Sequence, residues 1–180
     1  WTSMTRSDLQ RLERTHHLCL KNMQGLPRLT RSDMTKGLLG FTSIEAYIDL
    51  QKLRFFGSLC MLNSKALVNR TFIRRLTQFK FNKGFKSKGF IPDTADLISK
   101  YNLNYYLENY LRYGLFPNKP AWKQIVKRNV FLYEQSVWST RMREDPSFDH
   151  FRNIHHKMSL SCVCQVARSR LNKLQLMTFL

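Results

Sequence analysis

Between Leu50 and Pro92 the chain contains no aspartate and no glutamate. Cysteine is sparse: Cys19, Cys60, Cys162 and Cys164 are the only four. The opening Trp1-Thr2-Ser3-Met4-Thr5-Arg6 is not followed by the apolar core of a signal peptide, so a disulfide framework is not expected. The expectation is free thiols in a reducing intracellular location, nucleus or cytoplasm. No apolar run approaches the roughly 20 residues that a bilayer span requires. No methionine stands at position 1, which suggests a fragment. No segment keeps the two-residue alternation of a half-buried strand, so the expected fold class is all-α.

What fills the acid-free stretch is basic and aromatic. Lys52, Arg54, Lys65, Arg70, Arg74, Arg75, Lys80, Lys83, Lys86 and Lys88 are interleaved with Phe55, Phe56, Phe72, Phe79, Phe81, Phe85 and Phe90. Such a stretch repels itself until a polyanion neutralises it, and nucleic acid is the commonest polyanion that also rewards aromatic faces. The ten cations are the candidate phosphate contacts, and Phe79, Phe81 and Phe85 are candidates for stacking on unpaired bases. The alternative is a solvated helix face and a loop whose phenylalanines dock on the core. A net charge of +18 over 180 residues favours phosphate-bearing or acidic-lipid partners, while 43% apolar residues suffice for a core.

Apolar period and punctuation place the helices. Leu9, Leu12, His16, Cys19, Leu20 and Met23 recur at helical steps up to Gly25 and Pro27. A short helix is predicted over Ser32 to Leu39, closed by Gly40. Thr42-Ser43-Ile44-Glu45 has capping-box spacing ahead of a long helix from Ser43 to about Leu62, with Ile44, Tyr47, Ile48, Phe55, Leu59 and Leu62 as its apolar stripe. Val68, Phe72 and Leu76 continue weakly over Lys65 to Leu76. Thr77 to Ile91 loses the period and reads as a basic loop, residues 77–91, between a helical half at 1–76 and another at 92–158.

The second half starts at Pro92-Asp93 and breaks at Asn102. Asn104 caps a helix ending at Gly114, and Asn118 with Pro120 marks the next start. That helix carries Trp122, Val126, Val130, Tyr133 and Val137 to about Met142. Phe148, Phe151, Ile154 and Met158 predict one more. Residues 159–180 read as a helical tail through Val163, Ala167, Leu171, Leu174 and Met177.

Catalytic and metal chemistry find little support. His16-His17, His150 and His155-His156 with Cys162-Val163-Cys164 invite a zinc reading, but a single intervening residue is short for a structural zinc site and only two cysteines lie nearby. His155 falls in register with Phe151 and Met158, as a packed histidine would. A cysteine nucleophile at Cys162 or Cys164 lacks an oxyanion loop. The two Lys-Gly-Phe copies form no phosphate loop. No metal and no cofactor is expected. Trp122 is expected to pack on the Leu115-Phe116 corner.

Several phrases carry a family resemblance. Leu12-Glu13-Arg14-Thr15-His16-His17, Leu20-Lys21, Gln24-Gly25-Leu26-Pro27 and Thr30-Arg31-Ser32-Asp33 resemble the segment that follows the polymerase core in invertebrate non-LTR (LINE-like) retrotransposon reverse transcriptases. The likeness continues at Gly37-Leu38-Leu39-Gly40, Ser43-Ile44-Glu45-Ala46, Lys52-Leu53, Gly89-Phe90-Ile91-Pro92-Asp93, Gly114-Leu115-Phe116-Pro117 and Trp122-Lys123. It covers roughly residues 1–150, in helix, turn and cap vocabulary. It implies a helical connecting region that supports template and primer binding beside upstream polymerase domains. The palm's Tyr-x-Asp-Asp is absent, and Tyr47-Ile48-Asp49-Leu50 lacks the second carboxylate that a two-metal site needs. The chain alone is therefore not expected to polymerise.

The resulting expectation is a non-catalytic, all-α region that binds RNA, DNA or both. A different class is a helical scaffold that packs on polymerase domains, its charge incidental. A basic membrane-surface protein is disfavoured, because no lipidation motif is present and the basic residues are dispersed.

Overall fold

The computed structural model describes residues 4–81, 89–155 and 157–159. The fold is all-α: eight α-helices and one short 3-10 turn, with no strand among the described residues. The helices are α1 (Arg6–Gln24), α2 (Ser32–Leu39), α3 (Ile44–Cys60), α4 (Leu67–Phe81), α5 (Phe90–Lys100), α6 (Asn104–Tyr113), α7 (Lys119–Glu144) and α8 (Asp149–Ile154). None of the described helices is long and apolar enough to cross a membrane.

Two compact units emerge, and their boundaries are not the expected ones. One is residues 46–132. The other combines residues 4–45 with the described residues from Tyr133 onward. The segment 77–91 does not separate halves, since α4 and α5 on either side of it pack together within residues 46–132. Nor is 77–91 all loop: α4 runs through Phe81 and α5 begins at Phe90, while residues 82–88 lie outside the described residues. Phe72, Leu76 and Phe79 keep the helical step, but the exposed Phe81 falls out of phase and hides it.

In the unit of residues 46–132, α3 buries Ala46, Ile48, Asp49, Leu53, Phe56, Gly57 and Cys60, of which Ile48 belongs to the expected stripe. This face differs from the stripe expected from the sequence. Tyr47 and Phe55 are each 55% exposed, and the buried face instead includes a carboxylate and a glycine. Asp49 is tolerated there because it accepts hydrogen bonds from Lys100 Nζ at 2.9 Å and Tyr101 Oη at 2.7 Å. Gly57 has a different reason. The α7 indole of Trp122 lies where a Gly57 Cβ would be, and its Nε1 donates to the Leu53 carbonyl at 2.9 Å, one turn before the glycine. Phe116 packs tilted by 53° against the same indole, ring centroids 4.7 Å apart, as the packing expectation for Trp122 required. Asn118 Oδ1 caps α7 through the Ala121 N–H at 3.0 Å, as expected. Asn104, expected as a cap, is instead the first residue of α6, after Leu103. Asn102 turns the chain there with φ 55°.

The second unit repeats the glycine and indole device in its own core. Trp138 Nε1 donates to the Asp33 carbonyl at 2.9 Å, and a Cβ at Gly37, one turn later, would stand 2.7 Å from Trp138 Cζ2. Trp138, Met142, Phe148 and Met158 form a cluster with Met34 and Phe151 against it. Buried Gln24 ties α1 to α2 by donating to Leu20 O and Thr35 O. Phe148 ends the 3-10 turn Pro146–Phe148, and α8 covers only part of the helix expected from Phe148 to Met158. The expected tail helix lies outside the described residues.

The N-terminus of α3 is held from outside the helix. Ile44 N–H donates to Glu13 Oε2 at 2.8 Å, and Ser43 N–H to Glu134 Oε2 at 3.0 Å. Burial pushes the Glu13 carboxyl up. The approach of His17 Nε2 to within 3.3 Å, the hydrogen bond from Ile44 and the charge of Lys36 outweigh that and hold it below its ordinary 4.5. The His16 pKa is pushed below 6.5, first by burial, and its Nδ1 has no hydrogen-bond partner.

Both shifts make this unit acid-sensitive. The folded His16 resists protonation, so stability is full above 6.5 and falls as the unfolded chain takes up protons below it. Glu13 contributes fully above 4.5 and is lost as pH falls through its lower folded value. Thermal unfolding should show Tm falling from pH 7.5 to 5.5, with a smaller fall in His16→Gln. A further fall below pH 4.5 should be smaller in Glu13→Gln. Identical pH profiles for all three proteins would disprove the assignment.

Candidate nucleic-acid interface

α4 is the helix on which the acid-free stretch becomes a surface. Asn63 turns the chain into it, accepting the Lys65 N–H at 2.9 Å. One face is pinned inward. The side chain of buried Asn69 donates to Leu59 O at 3.0 Å, Phe72 meets Phe56 edge-on with centroids 5.6 Å apart, and Leu76 is buried. With that face fixed, the 3.6-residue period puts Arg70, Arg74 and Phe81 on the opposite side, with Arg75 and Lys80 on the flanks. All five are exposed, Phe81 to 72%.

The electrostatics of this face are unusual in two respects. α4 contains no acidic residue, and Arg70 and Arg74 are like charges one turn apart, an arrangement that weakens a helix. Among the described residues, Arg70, Arg74, Arg75 and Lys80 make no ion pair, whereas cations elsewhere do. Four unneutralised charges on one exposed helix are suited to a row of phosphates.

The remaining expected residues scatter. Lys52 is not free to bind a polyanion, because its Nζ pairs with Asp93 at 3.6 Å. Lys65 is exposed in the turn before α4. Arg54 is partly buried on α3 and lines a different pocket, described below. Lys83, Lys86, Lys88 and Phe85 lie outside the described residues. Phe79 does not project from the helix as an open stacking platform. It is half-buried in the wall of a groove of about 450 Å³, with Leu67, Val68, Phe72, Arg75 and Phe90 among its neighbours.

Two basic residues were missed by sequence reasoning. Lys119 and Lys123 stand one turn apart at the start of α7 and line the same pocket as Arg54. The signal was present in Lys119-Pro120-Ala121-Trp122-Lys123, a first helical turn with no acid, but the search concentrated on residues 50–92.

Among the described residues no three histidine, cysteine or acidic side chains gather where a metal could bind. His155 Nε2 donates to the Gly37 carbonyl at 3.0 Å, a packed position. His156, Cys162 and Cys164 lie outside the described residues. Burial raises the Cys60 thiol pKa far above neutrality, which leaves it inert. Compared with protein-family models, with curated proteins and with solved structures, the chain matches none.

Proposed function

We propose that this chain is a non-catalytic helical region that binds nucleic acid through α4, in the manner of a retroelement reverse transcriptase segment supporting template and primer. The observation that carries the reading is the set of four exposed cations, Arg70, Arg74, Arg75 and Lys80, on a helix without an acid and without ion-pair partners among the described residues. Phe81 beside Lys80 offers an aromatic face, and the groove walled by Phe79 and Phe90 has room for a flat apolar group. The assignment to a retroelement rests on the sequence phrases alone.

Fluorescence anisotropy over a salt series tests the binding. Four phosphate contacts give a slope of log K against log salt of about −3.6 on duplex DNA and about −2.8 on a single strand. Affinity for the duplex should then fall roughly 150-fold between about 50 and 200 mM salt. A slope near zero would remove phosphate contact as the basis of binding.

The second reading is a helical scaffold for polymerase domains. It is favoured by the apolar residues that α4 also exposes, Leu67, Val68 and Ile73. It predicts self-association of the purified chain, and binding that is indifferent to salt and to the type of nucleic acid.

A further inference from the structure

Within the unit of residues 46–132, α3 and the start of α7 enclose a pocket of about 310 Å³ that is separate from the α4 groove. Arg54 from α3 and Lys119 and Lys123 from α7 line it, with Gln51 and Ser58 as neutral polar neighbours and Trp122 among its lining residues. Three cations therefore converge on one concavity, and none has an ion-pair partner among the described residues.

Two further observations point to a missing anion. Arg54 Nε is buried and has no hydrogen-bond partner, although an arginine N–H removed from water ordinarily finds an acceptor. Lys119 and Lys123 are like charges one turn apart at the start of a 26-residue helix, the end that already carries partial positive charge. Cations are disfavoured there and no acid in the first turn compensates. An oxyanion in the pocket would neutralise the Arg54 guanidinium and the two ammonium groups together.

We propose that this pocket binds a phosphate group. The site stands apart from α4, so it can fail while the α4 reading survives, and the reverse. The phosphate could belong to a nucleic-acid chain or be free, and the chemistry that recognises it is the same.

The test uses the whole chain labelled with ¹⁵N, titrated with inorganic phosphate while the Trp122 indole N–H resonance is followed. A saturable shift is expected, at least tenfold weaker in Lys123→Gln and in Arg54→Gln, and unchanged in an Arg74→Gln and Arg75→Gln double variant. Lys123 is exposed, so Lys123→Gln carries the comparison if Arg54→Gln loses helicity. No saturable shift, or equal affinity in wild type and Lys123→Gln, overturns the proposal. A second arm uses oligonucleotides with and without a 5′-phosphate. A Trp122 shift that follows the oligonucleotide and is competed by inorganic phosphate identifies a nucleic-acid phosphate as the ligand. A shift with inorganic phosphate alone identifies a free one.

Discussion

Gly57→Ala should destabilise the unit of residues 46–132 by about 3 kcal/mol, an overpacking cost added to a lost buried hydrogen bond. The expectation runs against helix propensity, which favours alanine over a mid-helix glycine by about 1 kcal/mol. The added Cβ would overlap Trp122 Cδ1 and Nε1. Neither side can yield cheaply. Trp122 is fully buried among Phe56, Tyr106 and Phe116, and withdrawing its ring breaks the Nε1 bond to Leu53 O. The sign is thus decided by packing. Urea unfolding followed by circular dichroism gives the value, and a Gly57→Ala protein as stable as the wild type would show that the close approach of indole and helix does not exist.

Changing Arg70, Arg74, Arg75 and Lys80 together to glutamate should reduce nucleic-acid affinity by at least about 100-fold at low salt, since four phosphate contacts become four repulsions. Helicity should persist, because all four side chains are exposed and arginine, lysine and glutamate have similar helix propensities. Lys52→Gln is the informative control. Its ammonium already faces Asp93, so it should change affinity less than twofold, although sequence alone ranks it with the α4 cations. Anisotropy with single-stranded RNA, duplex DNA and a hybrid measures both. If the fourfold glutamate variant binds like the wild type, α4 is not the interface, and the charge on its face is incidental to function.

The residues of α4 illustrate how far a sequence can be read. The inward face was legible from Phe72 and Leu76, because apolar side chains at four-residue steps have one way to leave water together. The basic character of the other face followed from composition. Three features were not legible. The pairing of Lys52 with Asp93 joins residues 41 positions apart in the chain. The buried face of α3 was legible at Ile48 but not at Asp49 and Gly57, which look unlike core residues. Their places depend on Lys100, Tyr101 and Trp122, all distant in sequence. The convergence of Arg54 with Lys119 and Lys123 likewise exists only once α3 and α7 are side by side.

The sequence by itself determined the helical class, most helix ends and the presence of an acid-free basic stretch. Capping residues, helix-stopping glycines and a 3.6-residue apolar period act over a few neighbouring residues and need no tertiary partner. Tertiary structure decided which cations stay unneutralised, which carboxylate is buried and which glycine is indispensable. Those outcomes depend on what each side chain meets across a helix interface, and free energies of charge pairing and close packing are set by distances that local sequence does not contain.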